Sequence, residues 1–149
     1  MPALARWLAT LGGVGYLPRI PGTFGTLAGA GFAWWGGRVP SWEWAWVAAA
    51  TVTALLVAGP AARSFGAADP RPIVIDELCG MAVAVWAIPK SLWALAIGFL
   101  WFRLFDVLKP FPIRASERVP HGIGIVLDDL LAGIYANVMT RITLQVLWT

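Results

Sequence analysis

Five apolar runs, separated by short segments rich in proline and glycine, limit what this chain can fold into. The runs cover residues 24–36, 42–59, 73–88, 92–108 and 125–147. They are predicted to be helices, and the first is short for a hydrocarbon core about 30 Å thick, because a helix rises only about 1.5 Å per residue. The pattern predicts an all-α integral membrane bundle of about five helices, the first one short.

Composition supports a membrane protein with a single domain. Hydrophobic residues make up 59% of the chain and charged residues only 13%, whereas soluble domains carry about 25% charged residues. Ten tryptophans would be difficult to bury in so small a soluble core, but they suit the interfaces of a membrane. The 149 residues are enough for one domain, which we predict to cover 1–149.

The charged and cysteine residues exclude several classes of function. A formal charge of +3 favours contact with anionic membrane lipids, and the lack of a basic run argues against nucleic-acid binding. A single cysteine, Cys79, cannot form an intrachain disulfide or a cysteine-rich zinc site. We therefore expect it to contribute to the packing of its helix. Residues 7–17 lack a cleavage motif, and we expect an interfacial segment there rather than a removable signal peptide.

Lysine and arginine are distributed unevenly between the two sides of such a bundle. If five helices alternate across the membrane, seven of the 11 basic residues lie on the side of the N-terminus and of loops 60–72 and 109–124. Cytoplasmic loops carry the excess of basic residues, so we predict that this side is cytoplasmic. The polar motifs of four helices then meet there, and we expect the active site at the cytoplasmic interface.

Carboxylates dominate these polar motifs. Unpaired carboxylates that lie close together repel one another and shift toward protonation, and a hard divalent cation such as magnesium, which takes oxygen ligands, resolves the repulsion. Gly80, Ala132 and Gly133 each follow a carboxylate by one helical turn, and we expect them to leave room for a metal, water or headgroup. The candidate metal ligands and catalytic residues are Asp76, Glu77, Asp106, Asp128 and Asp129.

Basic residues beside these carboxylates point to phosphate. Arg103, Asp106 and Lys109 are spaced i, i+3, i+6, which places them on one side of the fourth helix if it continues that far. Arginine forms bidentate contacts with phosphate. A metal opposite such bases is the arrangement that stabilises the charge of a phosphoryl group during its transfer. Magnesium could also lower the pKa of a bound water and so supply the nucleophile.

Thr23 is a further candidate for phosphate binding. It follows Pro-Gly and precedes the first apolar run, so we predict that it is the N-cap of the first helix. The free N–H groups and the dipole of such a helix start would bind an anion. The alternative is an ordinary capped helix without a ligand.

The other motifs also have structural explanations. Arg103–Asp106 could be an intramembrane ion pair, and the two acidic pairs could be solvated helix starts favoured by the dipole. His121 is either a solvated loop histidine or a general acid for the leaving group. Three further acidic residues are expected at the surface: Glu43, Asp69 and Glu117.

Four blocks of the sequence resemble the phosphatidylglycerophosphatase A family in order and spacing over nearly the whole chain. One block alone would be a weak signal, but four in register are specific. The blocks are Pro21–Leu27, Ile75–Met81, Phe102–Ile113 and His121–Gly133.

The resemblance implies a magnesium-dependent enzyme of the bacterial inner membrane, and the apolar runs and loop charges predict that it is multi-pass with its active site facing the cytoplasm. It would remove the terminal phosphate of phosphatidylglycerophosphate, giving phosphatidylglycerol and inorganic phosphate. The metal ligands it implies are Asp76, Glu77, Asp106, Asp128 and Asp129. The phosphate contacts it implies are Thr23, Arg103 and Lys109.

The residues by themselves leave other functions open. A cation transporter or another ion-binding membrane protein could use the same carboxylates, although carboxylates spread across membrane depth would suit it better. A lipid-binding or assembly protein without turnover would tolerate Asp129→Asn. Within the phosphatase hypothesis, a metal-activated water is favoured over a phospho-aspartate intermediate. Whether the chain forms a homo-oligomer is left open.

Overall fold

The computed structural model describes residues 2–120 and 122–147, which form helices and turns without a β-strand. Within these residues the all-α prediction is confirmed. A 3₁₀ turn at Val14–Tyr16 follows the first of seven α-helices, which are α1 Pro2–Ala9, α2 Pro21–Gly36, α3 Pro40–Phe65, α4 Ile75–Ala84, α5 Leu92–Leu108, α6 Ile113–Ser116 and α7 Ile123–Leu147. The five predicted helices correspond to α2, α3, α4, α5 and α7, and α1 and α6 are additional.

Helix α3 continues through Pro60 to Phe65, although the sequence predicts a loop over 60–72. A proline inside a helix removes one backbone hydrogen bond, which is why the loop is expected. Alanines on both sides of Pro60 are buried against α1 in one apolar cluster, and this packing offsets the missing bond. The helix ends where Gly66 adopts a left-handed conformation with φ of 71°, as glycine commonly does after a helix.

Helix α4 is shorter than predicted, since it covers Ile75–Ala84 instead of 73–88. A helix of ten residues is about 15 Å long, half of a hydrocarbon core about 30 Å thick. In the described part of the chain, α3 and α7 are the two helices long and apolar enough to cross a membrane. Only 28% of the apolar window of α3 and 44% of that of α7 is buried within the chain, so much of their apolar surface faces outward. A bundle with more crossings remains a prediction.

Helix α4 lies at the centre of the bundle. Gly25 of α2 approaches Val74 and Gly29 approaches Leu78, so α2 and α4 run in the same direction. Helix α7 also runs parallel to α4, while α5 packs against both in the opposite direction. The starts of α2, α4 and α7 and the end of α5 therefore meet at one end of the bundle.

Two glycines bring α4 and α7 into close contact. A Cβ atom on Gly133 would overlap the carbonyl oxygen of Gly80, and a Cβ atom on Gly80 would lie 2.7 Å from the carbonyl oxygen of Asp129. The expectation that Gly80 and Gly133 leave room for a metal or headgroup is therefore wrong, because the neighbouring helix fills that room. Ala132, the third small residue, is also buried in the apolar core. These small residues set the distance between the two helices that carry most of the carboxylates.

Replacing Gly133 with alanine is expected to destabilise the protein by about 1–3 kcal/mol, because the backbone of α4 must move to admit the methyl group. Activity should fall as well, since the same movement separates Asp76 from Asp129. Gly31→Ala is the matched control: nothing lies within 4 Å of a Cβ atom at Gly31, so this change should stabilise α2 by about 0.5–1 kcal/mol. Thermal unfolding in detergent measures both changes, and equal stability of the two variants would contradict the close packing.

The opposite end of the bundle contains a buried ion pair that the sequence did not predict. Glu43, expected at the surface, is only 8% exposed. Its Oε1 accepts hydrogen bonds from Lys90 Nζ at 2.5 Å and from the Ala87 backbone N–H at 3.3 Å. Lys90 also donates to the carbonyl oxygens of Val85 and Ile88. These partners offset the cost of burying the two charges. The pair connects the start of α3 with the turn after α4.

Exposed tryptophans gather near this opposite end, on the last turns of α2, the first turns of α3, the turn after α4 and the first turn of α5. Indole rings favour the boundary between hydrocarbon and headgroups, where the ring is buried and its N–H stays hydrated. The tryptophans are Trp35, Trp42, Trp44, Trp46, Trp86 and Trp93, each at least 45% exposed. They lie at the opposite end of the bundle from the polar helix ends.

Candidate active site

Three carboxylates from α4 and α7 form the centre of the candidate site. One oxygen atom each of Asp76, Glu77 and Asp129 can be chosen so that all three lie within 4.8 Å of one another. We call these three residues the acid cluster. Asp76 and Asp129 are buried, and Asp76 and Glu77 occupy the first turn of α4, where the helix dipole favours negative charge.

The acid cluster lacks the partners that buried carboxylates normally have. Among the described residues, no hydrogen-bond donor reaches the buried atoms Asp76 Oδ1, Glu77 Oε2 and Asp128 Oδ1. Burying a carboxylate oxygen without a partner is costly. Burial, together with the charges of Glu77 and Asp129, raises the pKa of Asp76 well above its usual value.

The pKa of Glu77 is raised to about 7, mainly by burial. The neighbouring Asp106 carboxylate raises it further, while a hydrogen bond with Asp76 and the charge of Arg103 lower it. Such a group needs either a proton or a cation. The acid cluster offers oxygen ligands alone, which fits a hard divalent cation.

Arg103 lies beside the acid cluster on α5. Its Nη1 donates to Asp106 Oδ2 at 2.6 Å and to Thr26 Oγ1 at 3.5 Å. Asp106 in turn lies close enough to Glu77 and Asp129 for its charge to act on both. At the start of α2, a Cβ atom on Gly22 would lie 3.4 Å from Arg103 Nη1 and would overlap a carboxylate oxygen of Glu77. Glycine at this position therefore lets the backbone of α2 approach the site.

Lys109 forms a second cationic group. Its Nζ donates to Asp128 Oδ2 and to Glu117 Oε1, each at 2.6 Å. Helix α5 ends at Leu108, and Lys109 follows in a left-handed conformation with φ of 45°. The helix therefore ends where the sequence predicts, and the condition for Lys109 to share one helical side with Arg103 and Asp106 is not met, because this turn directs the side chain toward α7.

The structure brings all five predicted carboxylates to one end of the bundle but does not make them one group. Asp76, Glu77 and Asp129 form the acid cluster, whereas Asp106 and Asp128 each pair with a base. The two cationic groups lie on the flanks of the cluster, where Arg103 bonds to Asp106 and Lys109 to Asp128.

Thr23 is not the N-cap that the sequence predicts. Helix α2 begins at Pro21 with Ile20 as its N-cap residue, because proline, which has no N–H, suits the first helical turn. Among the described residues, the Thr23 hydroxyl has no hydrogen-bond partner. The threonine in contact with the site is instead Thr26, one turn further, whose buried hydroxyl donates to the Gly22 carbonyl oxygen at 2.8 Å and accepts from Arg103.

Two acidic residues expected at the surface are exposed, as predicted, and they also face the site. Asp69 and Glu117 line a cavity of about 530 Å³ together with Asp128. Partial desolvation at this cavity raises the pKa of Asp69, although the charge of Lys109 opposes the shift. The unusual length of link 109–124 was a signal for Glu117, but nothing near Asp69 in the sequence indicated this contact. His121 lies outside the described residues.

Comparison with known proteins identifies relatives over nearly the whole chain. A family model described as phosphatidylglycerophosphatase A matches residues 7–144. A protein of Escherichia coli (strain K12) named "Phosphatidylglycerophosphatase A" is 36% identical over 126 residues, which cover 82% of this chain and 73% of that protein. A Haemophilus influenzae protein of the same name is 45% identical over 76 residues, covering 50% of this chain and 47% of that protein.

A third relative has a different name. It is a Bacteroides thetaiotaomicron protein named "Putative phosphatidylinositol-3-phosphatase", which is 32% identical over 139 residues and covers 87% of both chains. No solved structure matches the chain.

Proposed function

We propose, from the premise that this chain belongs to the phosphatidylglycerophosphatase A family, that it removes the terminal phosphate of phosphatidylglycerophosphate. The products are phosphatidylglycerol and inorganic phosphate. Membership confirms the resemblance found in the sequence, and the chain is a phosphatase. The alternative prediction, a cation transporter or ion-binding membrane protein, finds no support in these comparisons.

The names of the relatives bear on the substrate. Two are named for phosphatidylglycerophosphate and one for phosphatidylinositol 3-phosphate. Both lipids carry a phosphate monoester on a headgroup that a phosphodiester joins to diacylglycerol. We choose phosphatidylglycerophosphate because the matched family carries its name.

One observation supports phosphoryl chemistry at this site most directly. Buried carboxylate oxygens that no described residue hydrogen-bonds lie beside Arg103 and Lys109, at the end of the bundle where four helix ends meet. Oxygen ligands for a divalent cation, next to an arginine and a lysine, provide the two kinds of positive charge that bind a phosphate. Positioning the phosphate and stabilising its charge account for most of the catalysis of phosphoryl transfer.

Magnesium is the proposed cofactor, held by Asp76, Glu77 and Asp129. When bound, it would neutralise charge on the phosphate and lower the pKa of a coordinated water. The proposal retains Asp106 and Asp128 as further candidate ligands, and their present contacts with Arg103 and Lys109 also hold those two bases in position. Water is the proposed nucleophile, and trapping of labelled phosphate on the protein would instead favour a phospho-aspartate.

The side chains around the acid cluster have proposed roles in binding the substrate phosphate. Arg103 would bind it through its guanidinium group, held in place by Asp106 and Thr26. Lys109 would add a second positive charge from the opposite flank. Thr23 remains a proposed phosphate contact through its helix start, since it lies in the first turn of α2.

The proposed location is the bacterial inner membrane, with several crossings and the site at the cytoplasmic face. Helices α3 and α7 are the best candidates for crossings. Six of the exposed tryptophans lie at one end of the bundle and the polar site lies at the other, which is consistent with two membrane interfaces. The acyl chains of the substrate would then remain in the leaflet while its phosphate reaches the acid cluster, and anionic lipids would surround the basic loops.

Magnesium binding can be tested without measuring activity. Saturating magnesium is expected to raise the midpoint of thermal unfolding in detergent by about 5 °C, because a ligand that binds only the folded state stabilises it. Asp76→Asn should lose this shift, since it removes a ligand, while sodium at matched ionic strength should not produce it. A magnesium shift of the same size in Asp76→Asn would contradict a metal site at the acid cluster.

A further inference from the structure

A polar cavity extends from the candidate site toward α3. Its volume is about 530 Å³, and it lies between the last turns of α3, the loop at 67–69 and the start of α7. Asp128 and Arg63 are both among the residues that line it. Asp128, which binds Lys109, is the residue that the cavity shares with the predicted site.

An apolar groove adjoins this cavity. It has a volume of about 600 Å³, runs between α1 and α3, and is lined by Leu4, Leu8, Leu56 and Val57 among others. Leu4 and Leu56 are 60% and 69% exposed, which is costly in water but favourable against hydrocarbon. Arg63 lines both the groove and the polar cavity.

Arg63 has an available positive charge at this junction. It lies in the last turn of α3, and its guanidinium group forms no hydrogen bond or ion pair with any described residue. Arg6 lies over the ring of Phe65 and Arg103 pairs with Asp106. Arg118, the second arginine in the lining of the polar cavity, likewise forms no ion pair with a described residue, but it does not border the apolar groove as Arg63 does. In an amphiphilic lipid, a phosphate lies where the apolar chains meet the polar headgroup. A guanidinium group between an apolar groove and a polar cavity is placed to bind such a phosphate.

We propose that Arg63 binds the phosphodiester of the substrate lipid and so determines which phosphate esters the enzyme accepts. One acyl chain lies in the groove between α1 and α3, and the headgroup crosses the polar cavity to place its terminal phosphate at the acid cluster. The inference rests on the proposed function, because only a lipid with two phosphates fills both positions. Arg63 thus contacts the part of the substrate that does not react.

The test is the kinetics of Arg63→Ala on phosphatidylglycerophosphate in mixed micelles. We expect KM to rise about 10- to 100-fold, as for the loss of a charged hydrogen bond, while kcat changes less than about twofold, the pattern of lost uniform binding. Inhibition by phosphatidylglycerol, which keeps the phosphodiester, should weaken by the same factor. Inhibition by inorganic phosphate should not change, and Arg63→Lys should retain part of the affinity. Arg71→Ala, an exposed arginine in the nearby loop, is the matched control and should behave as wild type.

The deacylated headgroup separates recognition of the phosphodiester from attraction to an anionic surface. This soluble molecule retains both phosphates, so its hydrolysis should show the same dependence on Arg63. A dependence of hydrolysis on Arg63 that appears only with anionic micelles would overturn the proposal. An unchanged KM would also overturn it. So would a loss of kcat together with weaker inhibition by inorganic phosphate. If wild-type protein releases no phosphate from either molecule, the proposed function itself fails, which is a distinct result. The midpoint of thermal unfolding of Arg63→Ala should equal that of wild type, because a role limited to the end of α3 would lower it instead.

Discussion

Asp129→Asn is expected to reduce phosphate release from the lipid substrate by about 10³-fold or more, because losing about 4 kcal/mol of transition-state stabilisation slows a reaction by three orders of magnitude. Asp129 is 3% exposed and is the member of the acid cluster contributed by α7. Asparagine has almost the same shape but supplies no negative charge. The cluster would then hold a divalent cation with two carboxylates instead of three. Initial rates at saturating magnesium measure the effect.

A loss of folding can be distinguished from this loss of chemistry. Asp129→Asn removes one charge from a group of buried carboxylates that repel one another, so without divalent cations the variant should unfold at the same temperature as wild type or a higher one. A lower midpoint would mean that Asp129 supports the fold. An active and stable Asp129→Asn protein would exclude the acid cluster from catalysis and favour a lipid-binding role.

Arg103→Lys is expected to lower kcat/KM by about 10²-fold, the typical effect of removing one positioned donor from a charged transition state. The guanidinium group of Arg103 bonds to both Asp106 and Thr26, and this arrangement leaves it oriented toward the acid cluster. Lysine keeps the charge but cannot form the planar pair of hydrogen bonds that arginine offers to phosphate. Steady-state kinetics on the lipid substrate provide the measurement.

The matched control for Arg103→Lys lies at the other end of the bundle. Arg38 stacks over the ring of Trp35, far from the polar helix ends, so Arg38→Lys should leave kcat/KM within about twofold of wild type. Equal losses in both variants would show that lysine affects the whole fold or its contact with the membrane. An unaffected Arg103→Lys enzyme would limit Arg103 to a structural intramembrane ion pair with Asp106.

The convergence of the polar motifs could be predicted because it depends only on which segments are apolar helices and on the direction in which each helix runs. Apolar runs identify helices, and alternating helices bring every second end to the same side. The starts of α2, α4 and α7 and the end of α5 therefore meet, as the structure shows. Helix ends were less accurate, as Pro60 illustrates, because burial of neighbouring alanines against α1 is invisible before the helices are packed.

The division of the carboxylates could not be predicted. Five carboxylates at one end looked like one metal site, yet Asp106 and Asp128 pair with bases. The Lys109–Asp128 pair depends on the left-handed turn at Lys109, for which a lysine gives no local signal. Thr26 and Glu43 were missed for the same kind of reason, since their partners lie on other helices.

Phosphate release from phosphatidylglycerophosphate by purified wild-type protein in detergent is the most direct test that the acid cluster is the metal site of a lipid phosphatase. The assay is run with magnesium, then with EDTA, and then with magnesium restored. We expect release with magnesium, loss of release with EDTA, and recovery when magnesium returns. Folded protein that binds magnesium but releases no phosphate would contradict the substrate assignment, and release that persists in EDTA would contradict the metal site.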